Sequence, residues 1–310
     1  MISDLFTVTI LIGILSSGIR LATPYLYAAI GETFGQRSGV LNLGVEGQML
    51  LGAFAAFYVA MNTGNLWLGV LAAMIVGALM GLAMAYVTVN LQAQQGISGI
   101  GFYLFGLGMS DLLFQKMMGT VHTVEGFQKV GIPFLSDIPG VGEIFFKQNV
   151  LVYGSYILVV LAWFVLNKTN LGLKIRSVGE NPDAADSLGV SVARVRYFTI
   201  ILGGTLSGVA GASLSIALLN VFQQNMTSGL GFIAVALVYF GAWRPGGVLL
   251  GALLFSMINS LQLWIQVLGI PIPSEIAVMM PYILTILVLV ATVSKVRAPS
   301  ALTKPFEREE

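Results

Sequence analysis

Leu66-Trp-Leu-Gly-Val-Leu-Ala-Ala-Met-Ile-Val-Gly-Ala-Leu-Met-Gly-Leu-Ala-Met-Ala-Tyr-Val-Thr-Val89 contains no charged residue. A helix that crosses the roughly 30 Å hydrocarbon core of a bilayer needs about 20 mostly apolar residues. This stretch therefore reads as a membrane-spanning helix. Gly69, Ala73, Gly77, Gly81 and Ala85 fall four residues apart on one of its faces, a smooth surface that lets another backbone approach closely. Eight further stretches qualify with soft edges, at 5–30, 40–60, 96–118, 150–166, 197–218, 229–243, 246–266 and 276–294. The stretch 229–243 is short and reads as a tilted or partial span. The stretch 5–30 does not read as a signal peptide, because Asp4 stands where a basic flank belongs and the apolar run is long.

The rest of the chain agrees. Of 310 residues, 56% are hydrophobic and 9% charged, against roughly a quarter charged in a soluble domain. The sequence predicts an all-α polytopic membrane protein with about nine transmembrane helices, within a range of eight to ten. Net charge is +1, which gives no basic footprint for nucleic acid. There are no cysteines and one histidine, His122. A disulfide framework, a multi-histidine metal site and any histidine-paired triad not running through His122 are excluded.

Lysine and arginine bias sets the sides. Lys168, Lys174, Arg176, Arg194 and Arg196 fall in or beside the loop 170–196; Lys295, Arg297, Lys304 and Arg308 fall in the tail 295–310. Both are expected on the cytoplasmic side. The N-terminus and the Gly- and Pro-containing segment 119–149 are then expected outside. Trp67, Trp163, Trp243 and Trp264 lie near predicted span ends, as an aromatic belt would place them.

Polar residues at membrane depth are the site candidates. Asn259, Gln262 and Gln266 follow Ser256 at helical spacing. Such a face must meet protein or water, either as interhelical hydrogen bonds or as the wall of a path for a neutral polar solute. Arg20 lies inside the first span. Glu46 lies early in the second, near Asn42 and between Gly44 and Gly47, which suggests a broken helix at a pathway or a kink with its charges satisfied. Asp111 and Gln115 read as interfacial and His122 as solvated, while Gln223, Gln224 and Asn225 are placed to meet solute or a partner. Gly204, Gly208 and Gly211, with Ser207 beside them, form a second small-residue face. Both faces read as packing surfaces, with sliding during gating the alternative.

Within 170–196, Asn181 suits a helix N-cap, Pro182 the first helical position and Asp183 the positive helix end; Ala184, Ala185 and Leu188 continue the helix and Gly189 stops it. A two-turn helix is too short to span. In a long loop, with exposed alanines, it reads as a docking element, with a passive solvated loop as the alternative.

Gly179-Glu-Asn-Pro-Asp-Ala-Ala185, followed by Gly189, resembles the coupling-loop motif of ABC importer permeases for branched-chain amino acids, simple sugars and nucleosides. Gly203-Gly-Thr-Leu-Ser-Gly-Val-Ala-Gly-Ala212, Arg37-Ser-Gly-Val-Leu-Asn-Leu-Gly-Val-Glu-Gly47 and Ala242-Trp-Arg-Pro-Gly-Gly247 fit the same group, and the likeness covers essentially the whole chain. The Arg37–Gly47 version looks closest to the shorter nucleoside-uptake permease subunit. The resemblance implies one transmembrane permease domain over 1–310, in a bacterial plasma membrane. It implies a second permease, most simply in a heterodimer, separate ABC ATPase subunits and an extracellular substrate-binding lipoprotein. Glu180, Asn181, Pro182, Asp183, Ala184, Ala185 and Gly189 would then couple to the ATPase, and Asn42, Glu46, Asn259, Gln262 and Gln266 would be path candidates. No Gly-x4-Gly-Lys-[Ser/Thr] run is present, so ATP is expected on the partners and the chain needs no cofactor of its own. Many sugar-type members carry an extra N-terminal span that this chain lacks. A ribose-type permease is the alternative solute class. A self-sufficient channel or secondary transporter would explain the polar stripe but not the capped helix. A membrane enzyme finds no paired carboxylates on a single helix.

Overall fold

The computed structural model describes residues 7–269, isolated positions (273, 276, 279, 280, 283, 286 and 287) and 297–307. The predicted span 276–294 lies outside these residues apart from those single positions. Ten helices run in order: α1 Val8–Arg37, α2 Val45–Thr63, α3 Leu66–Ala85, α4 Gln95–Met117, α5 Val150–Lys168, α6 Asn170–Glu180, α7 Pro182–Ser187, α8 Val192–Ser213, α9 Leu230–Phe240 and α10 Pro245–Val267. Turns of π-helix extend α3 over Tyr86–Asn90 and α8 over Leu214–Leu218.

Among the described residues, six helices are long and apolar enough to cross a membrane: α1, α3 with its π turn, α4, α5, α8 with its π turn, and α10. α2 is 19 residues long, but Glu46 and Gln48 in its first turn lower its mean hydropathy. α9 has 11 residues, about 16 Å of helix, which is half a bilayer core.

α8 is the axis of the molecule, packed by α1, α2 and α3. Of its most apolar 18-residue window 72% is buried, against 22% for α4, so α4 is peripheral. The reason is written in glycine. A Cβ on Gly77 would strike the Gly204 carbonyl oxygen, and one on Gly204 would strike that of Gly77; a Cβ on Gly208 would strike Ala73. Gly81 sits on Ile200, so the small face of α3 meets the small face of α8 backbone to backbone. Gly69 and Gly211 make the same kind of approach to α2, at Ala56 and Met49.

The segment 119–149 departs from all-helix. β1 (Lys129–Gly131) pairs antiparallel with β2 (Lys147–Asn149), with Lys129 opposite Asn149 and Val130 opposite Gln148. The Val124 and Phe127 amides donate to the Asn220 and Ile216 carbonyls at 3.1 Å, lacing this ribbon to the end of α8.

Two sequence expectations change. Trp243 is not an interfacial belt residue: it is 2% exposed, in a turn where Ala242 and Trp243 both take left-handed φ, 52° and 54°. Its Nε1 donates to Gln36 Oε1 at 2.7 Å, and Arg37 Nε donates to its carbonyl at 2.9 Å. The turn is thereby pinned to the end of α1. Gly47 does not interrupt a helix. It lies inside α2, pressed against Gly106 and Phe102 of α4.

Candidate translocation path and coupling surface

The chain breaks helix between α1 and α2, over 38–44, while still buried. Irregular backbone at membrane depth persists only where protein satisfies its polar groups. Glu32 Oε1 accepts from the Asn42 amide and from Gln36 Nε2, both at 3.0 Å. Asn42 Oδ1 accepts from the Gly44 amide at 2.9 Å, Asn42 Nδ2 donates to Gln48 Oε1 at 3.2 Å, and Gln95 Oε1 accepts from the Leu41 amide at 2.8 Å. Asn42 is therefore tied into the break.

Glu46 follows directly and is 1% exposed. Its Oε1 accepts from Thr227 Oγ1 at 2.6 Å and the Gly229 amide at 2.7 Å; its Oε2 accepts from the Gly231 amide at 2.6 Å. Gly229, with φ 92°, opens α9. The carboxylate thus sits in the first turn of α2 and on the N-terminus of α9, where two helix dipoles favour negative charge. The arrangement holds a half-length helix at depth.

On α10, Gln262 is buried, Asn259 is half-buried and Gln266 is exposed, so the predicted stripe grades from protein interior to surface. Ser260, on the neighbouring row, makes the contact with α1: its Oγ donates to the Ile14 carbonyl at 2.8 Å and lies 2.7 Å from Ser17 Oγ. Trp264 Nε1 donates to Ser17 Oγ at 3.1 Å. Asn42 and Glu46, at the α2–α9 junction, and the α10 amides are separate groups. None of the five lines the polar cavity of about 660 Å³ that opens between α1, the ribbon, the end of α8 and α10. Arg20 does, with Phe127, Lys129, Asn149 and Asn220. Asp111 is half-buried with Oδ1 shielded from solvent, Gln115 is exposed, and His122 is exposed beside Thr120 Oγ1 at 3.2 Å. Gln223, Gln224 and Asn225 are exposed.

At the opposite end of α1 lies the candidate coupling surface. Asn181 Oδ1 accepts from the Ala184 amide at 3.0 Å, Pro182 opens α7, and Gly189, at φ 82°, follows its end. Glu180, Asn181, Asp183 and Ala184 are exposed. Ala185 is not part of an exposed face: it is 3% exposed and packs into the core, because a helix this close to the bundle must bury one side. The exposed apolar side chain is Leu188, at 84%. It was readable as an unpaired leucine just before the stop glycine. Sequence reasoning also missed α6, which Thr169 caps by accepting from the Gly172 amide at 3.1 Å. Its signal was Gly172, Ile175, Val178 and Gly179, the buried side of an amphipathic turn-by-turn pattern.

A strap from 297–307 holds this unit. The Ala301 amide donates to the Gly179 carbonyl at 2.9 Å and the Thr303 amide to that of Gly39 at 3.1 Å. Buried Arg196 donates from Nη1 to the Lys304 carbonyl at 3.1 Å and from Nε to that of Ser38 at 3.3 Å. Ser300 Oγ donates to Glu180 Oε2 at 3.3 Å.

Residues 14–289 match the family model described as "Branched-chain amino acid transport system / permease component". The chain is similar to a putative glucose ABC transporter permease protein of Haloferax volcanii, 37% identical over 96% of this chain and 98% of that one. It is similar to a nucleoside ABC transporter permease protein of Lactococcus lactis, 38% identical over 90% and 92%. It is also similar to a guanosine ABC transporter permease protein of Bacillus subtilis, 37% identical over 92% and 93%. Each of those two bacteria has a second permease protein of the same description that is 25–26% identical to this chain. No solved structure matches the chain.

Proposed function

The chain belongs to the family of branched-chain amino acid transport system permease components; it is a multi-pass ABC transporter permease subunit, and we propose that it forms, with a second permease, the membrane path of a nucleoside importer. One observation carries the transport reading. α7 is a capped, six-residue helix that presents Asp183 and Ala184 outward, with Leu188 exposed just past its end, while Ala185 fixes its inner side and the 297–307 strap holds Gly179 and Glu180 immediately before it. On this reading Leu188 is the apolar contact that a protein partner covers. An ATPase subunit that grips α7 moves α6 and the ends of α1 and α8 with it.

The solute assignment rests on the nucleoside and guanosine permeases, similar over nine-tenths of their length. The paired relatives in two bacteria support a second, related permease. The lysines and arginines at 168–196 and in 297–304 support a cytoplasmic coupling face and an outer ribbon, and the relatives in Lactococcus and Bacillus support residence in a bacterial plasma membrane. The binding protein that delivers solute would meet the ribbon side. Asn259, Gln262 and Gln266 remain path-wall candidates; Asn42 and Glu46 act by holding the break and α9.

The test is to purify the tagged chain from its native cell in mild detergent and to measure ATP-dependent uptake of labelled nucleosides and glucose by cells with and without it. Co-purifying ATPase and permease chains, with nucleoside uptake lost on deletion, are expected. Glucose uptake lost instead would favour the second reading, a sugar permease, which the Haloferax relative supports. Uptake that survives ATP depletion but collapses with the membrane potential would overturn both.

A further inference from the structure

Arg20 stands twelve residues into α1, roughly 18 Å along the helix from its start. It is half-buried, and among the described residues no carboxylate pairs with it. A guanidinium at that depth is costly unless something accepts its hydrogen bonds. It faces the cavity of about 660 Å³ under the outer ribbon, a size within the usual range for small-molecule sites.

The rest of the lining narrows what fits. Phe127 supplies an aromatic wall, braced edge-on by Trp67 at 5.2 Å. Asn220, held at φ 58°, keeps its Oδ1 shielded from solvent and without a donor among the described residues. Asn149 has both side-chain ends engaged, to the Ala217 carbonyl and from the Val152 amide. Lys129 sits at the rim and disfavours cations. The cavity therefore offers a planar pair of donors from Arg20 and an aromatic surface.

We propose that this cavity is a base-recognition subsite for 6-oxopurine nucleosides, with Arg20 donating to O6 and N7 of the base. The assignment rests on the nucleoside reading above and deepens it. Arginine matches the paired acceptors O6 and N7 of guanine, whereas adenine places an amino donor where O6 would be. Pyrimidines have no N7. Phe127 stacks the base.

The experiment compares uptake of guanosine and adenosine by cells carrying the complete transporter with wild-type, Arg20→Lys or Arg20→Gln chain, at matched membrane levels. Glutamine favours adenine's N6 and N7. Arg20→Gln is expected to lower the guanosine-to-adenosine uptake ratio about tenfold or more, and Arg20→Lys less. A merely structural role would lower both solutes together, so an unchanged ratio overturns the subsite while leaving nucleoside transport standing. Should the variants fail to reach the membrane, photolabelling of the detergent-solubilised wild-type complex with 8-azidoguanosine decides. Label on 126–129 or 217–220 supports the subsite; label elsewhere, or none, overturns it. A wild-type transporter that takes up no nucleoside overturns the proposed function, and the subsite with it.

Discussion

The α3–α8 contact and the attachment of α7 are held by opposite means. In the first, Gly77, Gly81, Gly204 and Gly208 bring two backbones into direct contact over several turns, with no side chain between them to adjust. In the second, a six-residue capped helix meets the bundle through one buried alanine, and the hydrogen bonds from Ser300 and Ala301 fall just before it, on Glu180 and Gly179. A dense apolar contact resists shear, because its atoms have no alternative arrangement. A helix held at so few points can be pulled. The difference suits the first region to a frame and, on the coupling reading proposed above, the second to a lever.

The sharpest way to break that contrast is to overfill the frame. Gly77→Val places branched carbons on the Gly204 carbonyl, which cannot move aside, and should destabilise the protein by about 3 kcal/mol or more. The measurement is the amount of monodisperse protein recovered in detergent; recovery equal to wild type would show that the helices can slide. Glu46→Ala comes next. It strips three donors of their acceptor, including two amides at the start of α9, at about 2–3 kcal/mol, and should lower the melting temperature without selective loss of one solute. On the lever the expected effect is functional. Leu188→Asp should cut uptake about tenfold, equivalent to about 1.4 kcal/mol, while melting temperature and membrane level stay unchanged; ATPase pull-down should fall with it. The smallest effect belongs to the strap. Ala301→Pro removes the amide that donates to Gly179, worth about 1 kcal/mol, and should make the tail more protease-sensitive with a two- to threefold loss of uptake. Normal uptake and normal protection together would reduce the strap to decoration.

Much of this was legible in the sequence, for identifiable reasons. Apolar runs locate α3 with its π turn, α4, α5 and α10 to within two residues, start α8 five residues late and stop α1 seven residues short, because a single apolar run satisfies its backbone in lipid by forming a helix. The Asn181-Pro182 start and Gly189 stop of α7 are local chemistry and fall where the sequence puts them. What depends on distant partners was not legible. Ala184 and Ala185 look alike in sequence, yet only the fold says which one turns inward. Trp243 lies near a span end by count, but a double left-handed turn carries it into the core beside Gln36. The break at 38–44 was read a few residues late, because its satisfaction comes from Glu32 and Gln95 on other helices. Arg20 was singled out as an intramembrane charge. The cavity it faces is walled by 126–129 and 217–220, and no single-helix pattern reveals that meeting.

The strap also orders events in time. Its hydrogen bonds join residues 108 and 214 positions apart in the chain, Arg196 to Lys304 and Gln92 to Phe306. During synthesis the earlier partners wait while every described helix from α1 to α10 is made. The junction of α6 and α7 is therefore among the last parts of the described fold to close. Until residue 301 has been made, the end of α6 lacks its brace. On the coupling reading proposed above, α7 is set for a partner only after the helices it would move are in place.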